Sequence, residues 1–206
     1  KELIPLGEYP FSKWYSWVQD RYGVTWQLML VDNPQAAPKI TPNLLFSNEA
    51  CGMAEEAIKY YVDIFQNSEI GIMSRYAPGE AKSLKAKINY CAFQLDGVNF
   101  SGMDNGYDED YSFNEAFSLI IKCKNQQEID YFWEKLSAVP EAEECGWLKD
   151  KFGVSWQIVP TKMDEMLSSG TKDQISRLTE AFLNMKKFDL EALQIAYEGK
   201  DQKYSV

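Results

Sequence analysis

One twelve-residue motif occurs twice in the chain, as Trp-Val-Gln-Asp-Arg-Tyr-Gly-Val-Thr-Trp-Gln-Leu at residues 17–28 and as Trp-Leu-Lys-Asp-Lys-Phe-Gly-Val-Ser-Trp-Gln-Ile at residues 147–158. The copies are 130 residues apart and share six identical residues, including two tryptophans in register. This agreement indicates that a unit of about 130 residues is repeated. We therefore expect residues 1–31 to be the C-terminal remnant of a first module, either in a longer tandem chain or in a chain trimmed at its N terminus.

The remainder of the chain divides by composition and periodicity. Residues 32–38 contain two prolines among polar residues, which is typical of a linker. Residues 39–160 are expected to form one complete module, and residues 161–206 a C-terminal helical extension.

The complete module alternates between strand and helix patterns. An apolar run at 40–46 predicts a strand, and apolar residues at helical spacing over 54–65 predict a helix. The residues Leu84, Ala86, Ile88, Tyr90 and Ala92 are predicted to share one face of a long strand. A two-residue Asp-Gly turn at 96–97 then predicts a hairpin.

A second strand–helix pattern follows the hairpin. A strand is predicted at 117–123, a helix capped by Asn125, and two closing strands at 145–149 and 154–159. Thr171 and Asp189 are predicted to cap the helices of the extension.

Charge and composition exclude several classes of function. The chain has 206 residues and a net charge of −10, with no concentrated basic surface, which argues against a nucleic-acid partner. It contains no histidine, so Ser-His-Asp and Cys-His catalysis and histidine metal sites are absent. No apolar segment of membrane length is present, and we expect no membrane partner.

The cysteine pattern predicts a reduced, cytoplasmic protein, because the spacings are irregular and no secretory signal is visible. No chemistry is assigned to the four cysteines, which are Cys51, Cys91, Cys123 and Cys145.

Several segments together resemble a known family. Residues 54–61, 65–68, the strand leading to Asp104 and residues 145–160 look like the PhnB-like family, and residues 184–197 are similar to its usual ending. That family is often labelled 3-demethylubiquinone-9 3-methyltransferase. It belongs to the vicinal oxygen chelate superfamily of glyoxalases, bleomycin-resistance proteins and extradiol dioxygenases.

The resemblance implies an α+β fold, in which paired βαβββ modules form a curled mixed sheet around a cavity, with C-terminal helices added. It also implies a homodimer or a tandem pseudo-dimer. The methyltransferase label has no support in the residues, since no Gly-x-Gly turn of the kind that binds such cofactors is present.

In metal-using members, four side chains point into the cavity, usually as histidine and glutamate. The resemblance places these positions near Thr41 and Ser118, at Gln157, and near Asp104 with less certain register. Hydroxyl and carboxamide groups are weak ligands for divalent transition metals. We therefore expect no catalytic metal, assign no catalytic residue, and identify six candidate residues of a ligand-binding cavity: Thr41, Asn43, Asp104, Ser118, Trp147 and Gln157.

Two functional hypotheses remain open. The first is a protein that binds a small molecule without a strong metal. The alternative is a metal-dependent lyase, isomerase or dioxygenase, with a divalent metal as Lewis acid and Asp104 as base. The acidic run at 104–110 is interpreted as a solvated loop over the cavity mouth, in which Tyr107 and Tyr111 could close over a ligand.

Overall fold

The computed structural model describes residues 1–33, 38–107 and 111–200, and it forms two compact units. Most of the predicted linker, residues 34–37, lies outside the described residues. The first unit, Lys1–Thr41, contains a three-stranded antiparallel sheet. Its strands, in spatial order, are β1 (Glu2–Tyr9), β2 (Ser12–Gln19) and β3 (Thr25–Met29).

The second unit, Pro42–Val206, begins with a βαβββ half. Its four strands are arranged in the order β4-β7-β6-β5, and β4 runs parallel to β7. The elements are β4 (Asn43–Phe46), α1 (Ala54–Ile64), β5 (Glu69–Arg75), β6 (Ile88–Leu95) and β7 (Val98–Asp104).

A second strand–helix half follows, with the strand order β8-β10-β9 and β8 parallel to β10. Within the described residues it has one strand fewer than the first half. The elements are β8 (Ser118–Cys123), α2 (Gln126–Leu136), β9 (Trp147–Lys149) and β10 (Ser155–Pro160). The three curled sheets and the helices confirm the predicted α+β class.

One hydrophobic core joins the two halves of the second unit. Leu44 and Phe93 lie in the β4-β7-β6-β5 sheet, and Ile158 lies in the β8-β10-β9 sheet. All three belong to one buried cluster that also contains residues of α1 and α2. Trp156 stacks on Phe65 beyond the end of α1, with ring centroids 5.7 Å apart. Trp156 is thus a core residue, and strand alternation places it on the face opposite Gln157. Because side chains alternate along a strand, the opposite face of each sheet points away from this core.

Asp150 explains the pattern of the repeated motif. Its Oδ1 accepts hydrogen bonds from the amides of Phe152 (2.9 Å) and Val154 (3.0 Å), and its Oδ2 accepts one from Trp156 Nε1 (2.8 Å). Gly153 has φ of +90°, a conformation that glycine adopts without strain. The aspartate of the motif therefore caps the turn between the two strands that the motif forms.

The same turn forms in the first unit. Asp20 accepts hydrogen bonds from the amides of Tyr22 (2.8 Å) and Val24 (3.0 Å) and from Trp26 Nε1 (3.0 Å). Gly23 also has φ of +90°. The repeat is thus a repeat of local structure as well as of sequence.

Three helices complete the described part of the second unit, and the N-caps predicted for two of them are confirmed. Thr171 forms a capping box with Gln174, and the Asp189 side chain accepts from the amide of Ala192. The extension joins the sheet through Gly146, whose amide donates to the Lys186 carbonyl at 2.7 Å. The helices are α3 (Thr161–Ser169), α4 (Lys172–Leu183) and α5 (Leu190–Glu198). In the part of the chain that the structure describes, no helix is both long and apolar enough to cross a bilayer.

The predicted long strand is shorter than expected. Leu84 is fully exposed and, with Ala86, lies in the loop before β6, so the prediction was wrong for these two residues. The strand begins at Ile88, where the Asp104 carboxylate accepts the Lys87 and Ile88 amides. The predicted Asp-Gly turn at 96–97 is confirmed, with positive φ at both residues.

Candidate functional site

Three of the six candidate residues lie together on the β8-β10-β9 sheet. Gln157 pairs in register with Trp147 on β9, and its Nε2 donates to Ser118 Oγ at 2.8 Å. All three lie on the face opposite Trp156 and therefore opposite α2. The group provides hydroxyl and carboxamide functions beside a half-buried indole ring.

A fourth residue on this face was missed by the sequence analysis. Ser155 pairs with Ser118 and is only 2% exposed. Within the described residues its Oγ has no hydrogen-bond partner. A buried hydroxyl without a partner is costly, and it commonly marks an unfilled contact. Ser155 lies two residues before Gln157 on the same strand, so strand alternation could have identified it as a member of this face. We call Ser118, Trp147, Ser155 and Gln157 the polar strip.

A groove lies on the face of this sheet that carries Trp156, opposite the polar strip. It has a volume of about 820 Å³ and lies between the C-terminal end of α1, the β6–β7 turn, strand β8 and helix α2. Phe132 and Trp156 contribute aromatic surface, and Lys122 adds a positive charge. Ile120, which pairs with Gln157, lines this groove and connects it with the strip. None of the six predicted residues lines the groove itself.

Two other candidates lie apart from the polar strip. Asn43 begins β4 in the other sheet, where its Oδ1 accepts from Ser101 Oγ at 3.1 Å. On the same face, Gln94 Nε2 donates to Asn99 Oδ1 at 2.8 Å. Thr41 is exposed, precedes β4, and belongs to the first unit.

Asp104 is a fully buried structural residue. Its Oδ1 accepts from the amides of Gly52 (2.7 Å) and Ala54 (3.1 Å), at the start of α1. Its Oδ2 accepts from Lys87 and Ile88, both at 2.9 Å. Asp104 shares the helix-side face of β7 with Phe100, opposite the face that carries Ser101. These four bonds occupy the carboxylate and fix the start of α1 relative to β6.

The polar strip does not fit the metal site of the superfamily. Its donors are two serine hydroxyls and one carboxamide, which bind divalent transition metals weakly. Among the described residues, no group of three or more histidine, cysteine, aspartate or glutamate side chains could hold a metal ion. The one candidate carboxylate, Asp104, is engaged by backbone amides.

The acidic segment 104–110 is only partly described. Asp104 and Asn105 are buried, so the expectation of a solvated loop was wrong for these two residues. Residues 108–110 lie outside the described residues. Tyr107 is half-exposed, and the Tyr111 carbonyl accepts from Asn48 Nδ2 at 2.8 Å.

Two cysteines are held in an unreactive state. Burial raises the pKa of Cys91 to about 11 and that of Cys123 to about 12. Since the thiolate is the nucleophile, both thiols are inert near neutral pH. All four cysteines are free thiols.

Comparison with known proteins identifies relatives of the second unit. A family model described as 3-demethylubiquinone-9 3-methyltransferase matches residues 38–159. The chain is similar to the solved structure of a putative 3-demethylubiquinone-9 3-methyltransferase, PhnB protein, from Bacillus cereus, with 32% identity, 60% of this chain and 100% of that chain covered, and a TM-score of 0.50.

Two further similarities extend the comparison. A protein from Staphylococcus aureus is 30% identical over 59% of this chain and 94% of that chain, with a TM-score of 0.27. The fosfomycin resistance protein FosX from Mesorhizobium loti is 10% identical over 68% of this chain and 99% of that chain, with a TM-score of 0.39. No curated protein matches the chain.

The family match and the fold agree with the motifs found in the sequence. The matched residues cover both strand–helix halves of the second unit and end within β10. The chain therefore belongs to the PhnB-like family described as 3-demethylubiquinone-9 3-methyltransferase.

Proposed function

We propose that this protein binds a small amphipathic molecule by hydrogen bonding and ring contact, without a strong catalytic metal. The observation that carries this proposal is the buried Ser155 hydroxyl, which has no partner in the described structure and lies beside the Gln157 carboxamide. A ligand oxygen or nitrogen on the polar strip would satisfy it.

The neighbouring groove supplies the apolar part of such a site. Ligand sites commonly combine a concave apolar surface with a few polar groups that set orientation. The groove has the necessary volume, and a ligand in it would reach the strip around the edge strand β8 at Ile120, the register partner of Gln157. A molecule with an aromatic or aliphatic body and one polar end fits this combination.

A thermal-shift screen of small amphipathic aromatic compounds tests the proposal. A bound compound is expected to raise the melting temperature, because binding to the folded state alone stabilises it. Gln157→Ala and Ile120→Ser should each weaken binding of that compound by about tenfold, equivalent to about 1.4 kcal/mol. Gln94→Ala is the matched control, since it removes a carboxamide hydrogen bond of the same length from the other sheet.

Titration with Mn, Fe, Ni and Zn ions separates this proposal from the metal-dependent alternative. If one ion binds stoichiometrically and raises the melting temperature, and Gln157→Ala removes that effect, the metal-dependent lyase, isomerase or dioxygenase becomes the favoured hypothesis. Equal affinity of the screened compound for wild type, Gln157→Ala and Ile120→Ser would place the ligand elsewhere.

A further inference from the structure

A second cavity lies at the opposite end of the β4-β7-β6-β5 sheet from the β6–β7 turn. It has a volume of about 530 Å³ and lies between the turn before α1, the loop before β6, and the residues that follow β7. The amides of Lys82 and Ser83 both donate to the Gly106 carbonyl, at 2.8 and 3.1 Å, and these bonds hold the loop in place. The cavity shares no lining residue with the groove.

A buried donor in the cavity wall has no acceptor. Asn105 lines the cavity and is only 3% exposed. Its Oδ1 accepts from the Tyr107 amide at 3.0 Å, but in the described structure its Nδ2 has no hydrogen-bond partner. An unsatisfied buried amide group costs about 1–3 kcal/mol, so a ligand acceptor at this position would be favourable.

Two lysines also lie in the cavity wall. Lys82 and Lys85 line it, and neither forms an ion pair within the described residues. Cys51 Sγ lies 3.5 Å from Ser83 Oγ at the inner wall. Among the described residues of the lining, Glu49 is the one acidic side chain, so two lysines accompany one carboxylate there.

We propose that this cavity binds a small molecule through a phosphate or carboxylate group, which accepts from Asn105 Nδ2 and pairs with Lys82 and Lys85. Charged acceptors form stronger hydrogen bonds than neutral ones, and lysine binds phosphate as a point charge. The cavity is larger than a bare oxyanion, and Tyr107 provides a ring at its edge for an organic part. The site is separate from the polar strip and does not depend on the function proposed there.

Protection of Cys51 from a maleimide reagent tests the proposal with the full chain, using inorganic phosphate and citrate as probes at constant ionic strength. Labelling at each cysteine is measured by peptide mass spectrometry. Cys51 is only 8% exposed, so the reagent labels it when the cavity wall opens transiently. At about ten times the Kd of a probe that binds the closed cavity, this opening and hence Cys51 labelling should slow about tenfold. Cys145, which is partly exposed, serves as the unprotected reference.

Substitutions inside and outside the cavity test whether the probes bind there. The double variant Lys82→Ala/Lys85→Ala changes only exposed side chains and should weaken probe binding at least about tenfold. Asn105→Asp keeps the acceptor for Tyr107 but loses the free donor, and should also abolish protection. The double variant Lys162→Ala/Lys172→Ala removes the same charge from exposed sites in α3 and α4 and should leave protection unchanged.

The labelling results with phosphate and citrate distinguish the two kinds of ligand. Protection by phosphate alone identifies a phosphate ligand, and protection by citrate alone identifies a carboxylate ligand. If neither probe slows Cys51 labelling, or if the two double variants lose protection equally, the proposal is overturned.

Discussion

Asp150 and Asp20 occupy the same position in the two copies of the repeated motif, but their surroundings differ. Both accept two backbone amides and one tryptophan indole. Asp150 also accepts from the Tyr61 hydroxyl at 2.7 Å, across 89 residues of sequence. Burial raises the pKa of Asp150, whereas the hydrogen bond from Trp26 lowers the pKa of Asp20.

We expect Asp150→Asn to lower the free energy of unfolding by about 1–3 kcal/mol, because an amide nitrogen cannot accept from Trp156 and leaves the buried indole donor unpaired. Asp20→Asn makes the same change at a less buried site and should cost less. Urea denaturation of both variants at neutral pH measures the difference. Equal losses for the two variants would show that the buried network at Asp150 adds nothing.

The contributions of Asp150 and Asp20 to the stability of the protein should depend on pH with opposite signs. Because burial raises the pKa of Asp150 in the folded state, its contribution to stability falls as pH rises from the ordinary value of 3.8 through the folded pKa. The lowered pKa of Asp20 means that its contribution is lost as pH falls through the folded value. Denaturation curves between about pH 3 and 7, each compared with its asparagine variant, check both signs.

At the scale of elements, Gly146 connects the helical extension to the β8-β10-β9 sheet. It has φ of +81°, and a Cβ added there would lie 2.5 Å from Phe188 Cε2. Phe188 is buried with Met163 and Leu193 in the second hydrophobic cluster. The close approach of backbone and ring therefore fixes the position of the extension.

Gly146→Ala should destabilise the protein more than Gly153→Ala. Both residues have left-handed backbone, which costs a non-glycine residue about 1–2 kcal/mol. Only Gly146 adds a steric conflict, since the nearest atoms to a Cβ at Gly153 are 3.9 Å away. Thermal unfolding followed by circular dichroism compares the two variants. A larger loss for Gly153→Ala would contradict the role assigned to the Phe188 contact.

At the scale of the whole molecule, the same motif has different burial in the two units. Trp26 and Leu28 in β3 are 41% and 54% exposed. Their counterparts in β10, Trp156 and Ile158, are 2% and 0% exposed, because helices α1 and α2 cover them. The described elements of the first unit are three strands, and a small sheet without a covering helix is marginal in water.

Residues 42–200 should fold without the first unit. Both buried clusters consist of residues from Leu44 onward, so deletion of residues 1–41 removes no member of them. The shortened protein should unfold cooperatively in urea with a midpoint close to that of the full chain. A large fall in the midpoint, or a loss of cooperativity, would show that the first unit contributes to the core.

The sequence by itself determined what depends on neighbouring residues: the repeat, the alternation that places Trp156 opposite Gln157, the Asp-Gly turn and the N-caps. These features follow from backbone periodicity and from hydrogen bonds between residues a few positions apart. Family resemblance placed Ser118 and Gln157 among the candidates, and the structure brings both together with Trp147 on one sheet.

Only the tertiary structure decided what depends on distant contacts. Asp104 was expected at a cavity, but its acceptors are filled by amides at 52, 54, 87 and 88, which no local pattern reveals. The unpaired Ser155 hydroxyl and Asn105 amide likewise result from how separate elements pack. Local chemistry fixes the elements, whereas burial and the pairing of polar groups are set by residues that are far apart in sequence.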